Sequence, residues 1–446
     1  MKDIFKAYDI RGRYPDELNE ETAYRIGREI REVLPRSPVG VSRDMRRSAP
    51  AIKEALIRGL REAGIDVIDL GLLSTCMYYF AVGYYGYPGG IQVTASHNPP
   101  DFIGMKFVGK GVVPIARENG LDRLAERVFS PSPTPPAKKP GNLTPQTKTG
   151  EDYWKRIRSL IGQLAPLKVV IDCSNGMAGV EVPPVFAGLP PRIEFLNQTP
   201  DGNFPGHGPN PLLEENQVQL IRRIRESQAD VGFIFDGDSD RAVVVDETGK
   251  VIPNDFVTAL LAGWYLERNP RSTIVADFRS SWAAEEYIEA KSGVMIRDRV
   301  GHSFLKGSMR RTNAVFGGDI AGHYYFRDNY YSESSALATA RIMELMTEEK
   351  IPLSRIWRPL NKYFSTGELN YPVKDREAAL AAVEKEFQSD GLQPDHLDGV
   401  TFRGDDFWLN LRPSHTEPLI RFMAEARDGQ RLEEIKSRVE ANLALP

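Results

Sequence analysis

The sequence contains only two cysteines, Cys76 and Cys173, and they lie far apart along the chain. Two isolated cysteines provide neither a disulfide framework nor the spacing of a thiolate metal site, so we expect a reducing compartment. No stretch approaches the roughly 18 consecutive apolar residues of a transmembrane helix, and residues 1–6 lack the apolar core of a secretory leader. These absences predict a cytoplasmic protein.

The chain also lacks a large excess of charge of either sign. Its 57 Lys and Arg residues stand against 61 Asp and Glu residues, for a net charge of −4. This balance argues against nucleic acid or an anionic membrane as a bulk partner, and it leaves both a monomer and a homodimer open. At 446 residues the chain is too long for one hydrophobic core.

Three segments repeat one pattern of apolar strand, small polar turn, helix and second strand. Their first strands cover residues 39–44, 168–172 and 273–277, and each ends at an Asp. Such units predict sheets buried between helices. From about Thr366 the pattern changes to helices with short strands. We therefore predict an α/β fold of three similar domains, followed by a smaller C-terminal α+β domain.

Composition marks the domain boundaries. The proline-rich segment 130–145 is predicted to be a semi-rigid linker or surface crossover, and a helix is predicted over residues 20–34. The predicted domains are residues 1–150, 151–252, 253–365 and 366–446.

An acidic loop separates two predicted strands, residues 231–235 and 242–246. It carries Asp236, Asp238 and Asp240 on alternate positions. At about 5 Å and an effective dielectric near 20, each pair of carboxylates repels by roughly 3 kcal/mol. A hard divalent cation such as magnesium offsets this repulsion and prefers oxygen ligands. The loop therefore predicts a metal site.

Three alternatives to a metal site compete for this loop: an exposed acidic turn, an EF-hand and a nucleophilic Asp. The flanking strands disfavour an exposed acidic turn without function. An EF-hand requires helical flanks and a glycine at its sixth position, where this chain has Arg241. A nucleophilic Asp of the phosphatase type stays open from the loop alone.

Two further residues in the first unit are candidates for chemistry. Ser96 directly follows an apolar strand and precedes His97 and a pair of prolines, so it is a candidate nucleophile. A simple Ser turn leading into the prolines is the alternative. Lys106 lies within an apolar run, where a lysine is more often a surface residue whose ammonium group reaches the solvent.

The third and fourth domains each contribute a polar loop. The glycine-rich stretch around Asp319 and His323 offers a carboxylate and an imidazole for hydroxyl groups, and a capped hairpin is the alternative. Gly301 and His302 form a weaker feature of the same type. In the last domain, a turn from Arg412 to Thr416 has the donors of a phosphate cradle, with a plain capped turn as the alternative.

Taken in order, these loops resemble the α-D-phosphohexomutase superfamily, most closely its phosphomannomutase/phosphoglucomutase branch. The resemblance covers nearly the whole chain and includes the opening segment Phe-Lys-Ala-Tyr-Asp-Ile-Arg-Gly at residues 5–12. It implies four domains around a central cleft, each providing one loop. It also implies a mutase that interconverts the 1- and 6-phosphates of mannose or glucose, with magnesium, a phosphoserine and a hexose 1,6-bisphosphate as intermediate and activator.

The resemblance also implies roles for individual residues. Ser96 matches the phosphoserine, which is also a metal ligand, so that the three aspartates hold the metal and are not nucleophiles. The other residues that match catalytic positions are Arg11, His97, Lys106, Arg241 and His323. The residues that match substrate-binding positions are Tyr8, Arg279, Gly301, His302, Asp319, Ala321, Arg412, Ser414, His415, Thr416 and Arg421.

The chain departs from the family pattern at recognition positions. Asp319-Ile-Ala321 replaces the usual Glu-x-Ser, and His415 replaces an Asn. Arg279 replaces the usual Lys, and Trp282 replaces a basic residue. Lost hydroxyl contacts alter discrimination by about 1–3 kcal/mol, so the sugar stays open. A mutase for phosphoglucosamine or a phosphopentose and a non-catalytic sugar-phosphate sensor are the alternatives.

Overall fold

The structure is a computed structural model that describes residues 4–413 and 419–443. Within these residues the strands form four sheets. The first three sheets mix parallel and antiparallel strands, and the fourth is antiparallel throughout. The predicted fold of three α/β domains and a smaller C-terminal α+β domain is confirmed. The predicted boundaries after residues 150, 252 and 365 stay predictions.

The first sheet positions the Ser96 turn. Gly89–Val93 runs parallel to Val39–Arg43, so the loops that follow these two strands open at the same sheet edge. The spatial order of the sheet is Ile10–Arg13, Phe102–Gly109, Gly89–Val93, Val39–Arg43, Val67–Leu72 and Leu143–Pro145, with Val113–Pro114 paired to Phe102–Gly109.

The second and third sheets each contain an antiparallel hairpin whose turn carries a candidate loop. Phe235 pairs with Ala242 across the acidic loop, and Gly318 pairs with Tyr324 across the glycine-rich loop. The second sheet has the order Ala242–Asp246, Val231–Phe235, Lys168–Asp172 and Arg192–Leu196. The third has the order Val294–Asp298, Thr273–Asp277, Phe316–Gly318, Tyr324–Phe326 and Ser332–Glu333.

The fourth sheet has its own hydrophobic core, in which Val383, Phe402 and Phe422 are fully buried. Its order is Phe364–Ser365, Leu419–Ala426, Phe407–Pro413 and Val400–Arg403, and Leu369–Pro372 also pairs with Leu419–Ala426.

Helices cover the sheets. The α-helices of the described residues are Glu20–Glu29, Ala49–Glu62, Thr75–Tyr84, Leu121–Val128, Thr149–Leu160, Ala178–Phe186, Glu214–Ser227, Asn254–Arg268, Trp282–Ala290, His302–Thr312, Ser335–Glu349, Leu353–Trp357, Arg376–Gln388 and Gly429–Leu443. Short 3-10 turns lie at Ile30–Glu32, Lys110–Val112, Arg117–Asn119, Arg327–Asn329 and Arg358–Leu360. Among the helices described, none has the length and hydropathy to cross a membrane.

One helix joins the first three domains. Thr75–Tyr84 is apolar on all sides, and its residues from Thr75 to Val82 are buried. A helix that is hydrophobic all round must be covered on every face. It belongs to one core cluster with Tyr153, Phe233 and Trp357 of the following domains. The first three domains are therefore held in fixed relation by a shared core.

Two elements differ from their predicted extent. The helix predicted over 20–34 ends at Glu29 and tightens into the 3-10 turn Ile30–Glu32 before a proline, which cannot continue a helix. The predicted linker 130–145 ends in a strand, Leu143–Pro145, which pairs with the edge of the first sheet. An edge position tolerates proline because its missing N–H faces away from the sheet.

Close helix packing in the first domain depends on two glycines. A Cβ at Gly59 would lie 2.2 Å from the Tyr24 carbonyl oxygen, and one at Gly27 would lie 2.4 Å from that of Leu56. Gly59→Ala should destabilise the protein by about 1–3 kcal/mol, because overpacking outweighs the roughly 1 kcal/mol by which Ala favours a helix. A lowered midpoint of urea unfolding measures this loss.

The control for this prediction is Gly307→Ala in the helix His302–Thr312. A Cβ at Gly307 would meet the end of the flexible Arg311 side chain at 3.3 Å. This variant should be neutral or slightly stabilised. An equal loss in both variants would contradict the packing argument.

Candidate active site

Ser96 lies in the turn after strand Gly89–Val93 and is 1% exposed. Its φ of 51° lies in the left-handed region, which is uncommon for a residue with a Cβ. The Ser96 Oγ donates a hydrogen bond to Asp236 Oδ2 at 2.8 Å and lies 3.2 Å from His97 Nδ1. The turn therefore brings a hydroxyl of the first domain into contact with the acidic loop of the second.

Arg46 supports this turn from behind, and sequence analysis did not identify it. Its guanidinium is fully buried and lies 3.4 Å from the Asp44 carboxylate. A buried guanidinium needs acceptors for its N–H groups. Arg46 donates to four backbone carbonyl oxygens at 2.6–3.0 Å, those of Ser96, Asn98, Pro99 and Phe102. The sequence signal that could have identified Arg46 is its opposite charge to Asp44, directly after the strand Val39–Arg43.

The three aspartates of the acidic loop converge on one point. Asp236, Asp238 and Asp240 are buried, and one carboxylate oxygen of each lies within 4.8 Å of the others. The Oδ1 atoms of Asp238 and Asp240 are buried without a hydrogen-bond partner among the described residues. Buried charged oxygens of this kind require a cation or a donor. The donor set therefore fits a hard divalent metal ion.

Lys106 is buried and faces the aspartates, in contrast to the exposed lysine that is typical of such an apolar run. It is 7% exposed, and its Nζ donates to Asp238 Oδ2 at 2.8 Å and to Asp240 Oδ2. Burial opposes its charge, but these carboxylates raise the pKa of Lys106 above its ordinary value. Burial and the neighbouring carboxylates raise the pKa of Asp236 well above its ordinary value. One ammonium group therefore does not offset all three charges.

Arg11 adds a further positive charge beside the Ser96 turn. Its Nε bonds Asp9 Oδ2 at 2.7 Å, and its Nη1 donates to Asn98 Oδ1. Burial opposes its charge, and Asp9, followed by Asp238 and Asp240, raises the pKa of Arg11. The guanidinium is thus held close to the acidic loop.

Asp319 makes its contacts inside the glycine-rich loop. Its Oδ1 accepts hydrogen bonds from the backbone N–H groups of Ala321 and His323, each at 3.0 Å. Its Oδ2 lies 2.8 Å from His323 Nδ1 and accepts a hydrogen bond from the Tyr325 hydroxyl at 2.8 Å. These contacts place Asp319 behind His323, and its direct contact with a sugar hydroxyl stays a prediction.

His323 connects this loop to the acidic loop. Its Nε2 lies 3.2 Å from Arg241 Nε and 3.5 Å from Asp240 Oδ1. Burial opposes a charge on the ring, but Asp319 raises the pKa of His323 to about 9. A neutral ring accepts a hydrogen bond from Arg241 at Nε2, whereas a protonated ring directs its Nε2–H toward Asp240. His323 is therefore positioned to hold or release a proton beside the aspartates.

Tyr8 brings the first domain against the third. Its hydroxyl donates to the Val300 carbonyl oxygen at 2.8 Å, and its ring lies edge-on to His302 with centroids 5.7 Å apart. A Cβ at Gly301 would lie 2.5 Å from the Tyr8 hydroxyl oxygen, so this contact requires glycine. The rings of His302 and His323 are 6.3 Å apart, which places both histidines on one side of the cleft.

Three arginines predicted to bind the substrate meet at a carboxylate that sequence analysis missed. Glu368 Oε2 accepts hydrogen bonds from Arg279 at 2.7 Å and Arg412 at 2.6 Å, and Oε1 accepts one from Arg421 at 2.9 Å. The other predicted residues of this cradle, Ser414, His415 and Thr416, lie outside the described residues.

The chain matches the domain models of one protein family over most of its length. Models of the phosphoglucomutase/phosphomannomutase alpha/beta/alpha domains I, II and III match residues 2–132, 151–249 and 253–363, and that of the C-terminal domain matches residues 368–442. The chain belongs to the phosphoglucomutase/phosphomannomutase family. A curated relative in this family, the phosphomannomutase of Salmonella typhimurium, is 37% identical over 445 residues, which is 97% of each chain.

Solved structures agree with this assignment. A phosphoglucomutase/phosphomannomutase family protein from Burkholderia thailandensis has a TM-score of 0.90 and 31% identity over 99% of this chain and 97% of that chain. The N-acetylphosphoglucosamine mutase of Aspergillus fumigatus in complex with GlcNAc-6P and magnesium shares the fold, with a TM-score of 0.61 and 14% identity over 99% of this chain and 96% of that chain. The predicted family and enzyme class, a phosphohexose mutase, are confirmed.

The acidic loop predicts a measurable metal affinity. Asp238→Asn should weaken Mn²⁺ binding in isothermal titration by at least about tenfold, because it removes one charged ligand from a buried oxygen site. Asp246→Asn is the matched control, since Asp246 lies at the opposite end of the same hairpin. Equal Mn²⁺ affinity in Asp238→Asn and the unaltered protein would rule out this site.

Proposed function

We propose that this family member interconverts hexose 1-phosphates and hexose 6-phosphates, with Ser96 carrying the phosphoryl group between the two positions. The observation that supports this most strongly is the 2.8 Å contact between Ser96 Oγ and Asp236, inside a buried group of three carboxylates. A serine becomes a useful phosphoryl carrier when charged groups are preorganised around its oxygen.

The proposed reaction has two symmetrical halves. In the first half, the bond between phosphorus and Ser96 Oγ breaks, a bond from phosphorus to the free sugar hydroxyl forms, and the hydroxyl proton passes to a base. The product is a hexose 1,6-bisphosphate, which turns around in the cleft. In the second half, its other phosphoryl group returns to Ser96, and the released sugar oxygen takes up a proton.

The residues around Ser96 divide this work. Arg11, Lys106 and Arg241 supply positive charge where the phosphoryl group moves, and positioning with electrostatic stabilisation accounts for most catalysis of phosphoryl transfer. His97 and His323 are proposed to exchange the hydroxyl proton. Magnesium, when bound by Ser96 and the three aspartates, would neutralise charge on the transferring group.

Substrate recognition is assigned to the third and fourth domains. Arg279, Arg412 and Arg421 are proposed to bind the phosphate that does not react, because guanidinium groups match phosphate oxygens in geometry and charge. We propose that Ser414, His415 and Thr416 complete this cradle. The sugar is proposed to lie against Tyr8, Gly301, His302, Asp319 and Ala321.

The identity of the sugar depends on residues at which this chain departs from the family pattern. Mannose and glucose phosphates are the first candidates, and a phosphoglucosamine or phosphopentose is the alternative. The glycine-rich loop leaves the alternative open, because Asp319 is engaged with His323 and Ala321 lacks a hydroxyl.

Ser96→Ala tests the proposed carrier. Turnover of mannose 1-phosphate and glucose 1-phosphate should fall at least about 1,000-fold, because no oxygen remains to carry the phosphoryl group. Binding of the same sugar phosphates should persist in isothermal titration. Ser48→Ala is the control, since Ser48 precedes the helix Ala49–Glu62 without a side-chain capping bond. Turnover retained in Ser96→Ala would exclude the proposed carrier.

Ala321→Ser tests the sugar assignment. A restored hydroxyl should add one hydrogen bond of about 1 kcal/mol, which is about a fivefold gain in kcat/KM for the correct sugar. The gain should appear for glucose or mannose phosphate and be smaller for the glucosamine and ribose phosphates. A gain restricted to one of the latter two substrates would favour the alternative.

A further inference from the structure

Glu368 lies between the third and fourth domains and contacts arginines of both. It follows Gly367, whose φ is 61°, and precedes the strand Leu369–Pro372 of the fourth sheet. Its side chain is 21% exposed. The residue therefore lies where the chain enters the fourth domain, at the side of the arginine cluster.

The carboxylate of Glu368 joins arginines from two domains. Arg279 follows a strand of the third sheet, whereas Arg412 and Arg421 lie on neighbouring strands of the fourth and are paired in register. Both oxygens of Glu368 are used, one by two guanidinium groups and the other by the third. A single side chain thus contacts all three arginines.

Charge explains why such a carboxylate is needed. Three guanidinium groups around one point repel one another, and an arginine does not relieve this repulsion by losing its proton. Asp277 offsets part of this charge, because it binds Arg279 through both oxygens. Burial opposes the charge of Glu368, but Arg279 and Arg412 lower its pKa to about 2. Glu368 is therefore an anion at neutral pH.

Within the described part of the chain, the geometry also leaves donors for a ligand. Glu368 engages one terminal nitrogen of each guanidinium, Nη2 of Arg412 and Nη1 of Arg421. An arginine carries five N–H donors in a planar fork, so one bond to this carboxylate orients the fork without using all of its donors. The remaining donors of the two side chains are then held in a fixed direction.

We propose that Glu368 is a positioning residue for phosphate: it holds Arg279, Arg412 and Arg421 at the spacing that binds the non-reacting phosphate group of the substrate. The proposal rests on the proposed function for the identity of the ligand. It makes a prediction opposite in sign to simple electrostatics. Coulomb attraction alone predicts that removal of a negative charge strengthens anion binding, whereas loss of a positioning residue weakens it.

Glu368→Gln in the full-length protein tests this sign. Affinities for mannose 6-phosphate, glucose 6-phosphate and inorganic phosphate are measured by isothermal titration, together with KM and kcat. We expect Kd and KM to rise at least tenfold, with kcat within threefold of the unaltered enzyme. Unchanged or tighter binding in Glu368→Gln would overturn the proposal.

Glu425→Gln is the matched control. Glu425 is a buried carboxylate between the same two domains, but it accepts hydrogen bonds from the Ser281 hydroxyl, the Trp282 backbone and the Trp408 indole. Its substitution should change Kd less than twofold. An equal loss in both variants would show that loosening of the domain junction is responsible, and would also overturn the proposal.

Two further measurements are phosphate binding by Glu368→Asp and mutase turnover by the unaltered protein. If Glu368→Gln does not fold, Glu368→Asp takes its place, and the shorter side chain should weaken phosphate binding at least threefold; an unchanged Kd would contradict the proposal. Suppose that Glu368→Gln binds inorganic phosphate more weakly, but the unaltered protein has no mutase activity. This result would support the role of Glu368 and refute the proposed function. Mutase turnover by the unaltered protein, with an unchanged Kd for phosphate in Glu368→Gln, would support the proposed function and refute the role of Glu368.

Discussion

The contact between the Ser96 hydroxyl and the Asp236 carboxylate is the interaction on which the rest of the site depends. It crosses from the first domain to the second, so its length is set by how those domains pack. The buried helix Thr75–Tyr84 fixes that packing, because it belongs to a core shared by the first three domains. Arg46 then holds the Ser96 turn through its backbone carbonyl groups. The Ser96 oxygen is therefore positioned by the protein interior.

Charge balance organises the remaining parts of the cleft. Lys106 offsets part of the charge of the buried aspartates, and the Oδ1 atoms of Asp238 and Asp240 accept no hydrogen bond from the described residues, so they are available to a cation. Between the third and fourth domains, one carboxylate, Glu368, pairs with three arginines. The acidic cluster is thus suited to a metal, and the arginine cluster is suited to a phosphate.

Much of this arrangement could be predicted from local sequence. The aspartate triplet lies within one turn, and the strands before it have a clear apolar pattern, so both were recognisable without a structure. Lys106, Arg46 and Glu368 could not be placed in this way. The partners of Lys106 are more than 100 residues away in the sequence. Glu368 contacts its three arginines only because the folded third and fourth domains bring them together. Burial and pairing of charges are properties of tertiary structure, which local patterns do not contain.

Anomalous diffraction from crystals grown with Mn²⁺ tests the central claim most directly. The account predicts one strong peak bonded at about 2.1 Å to oxygens of Asp236, Asp238 and Asp240 and to the Ser96 oxygen or its phosphoryl group. A peak bound elsewhere, or a peak at the aspartates with the Ser96 oxygen turned away and out of reach, would contradict it.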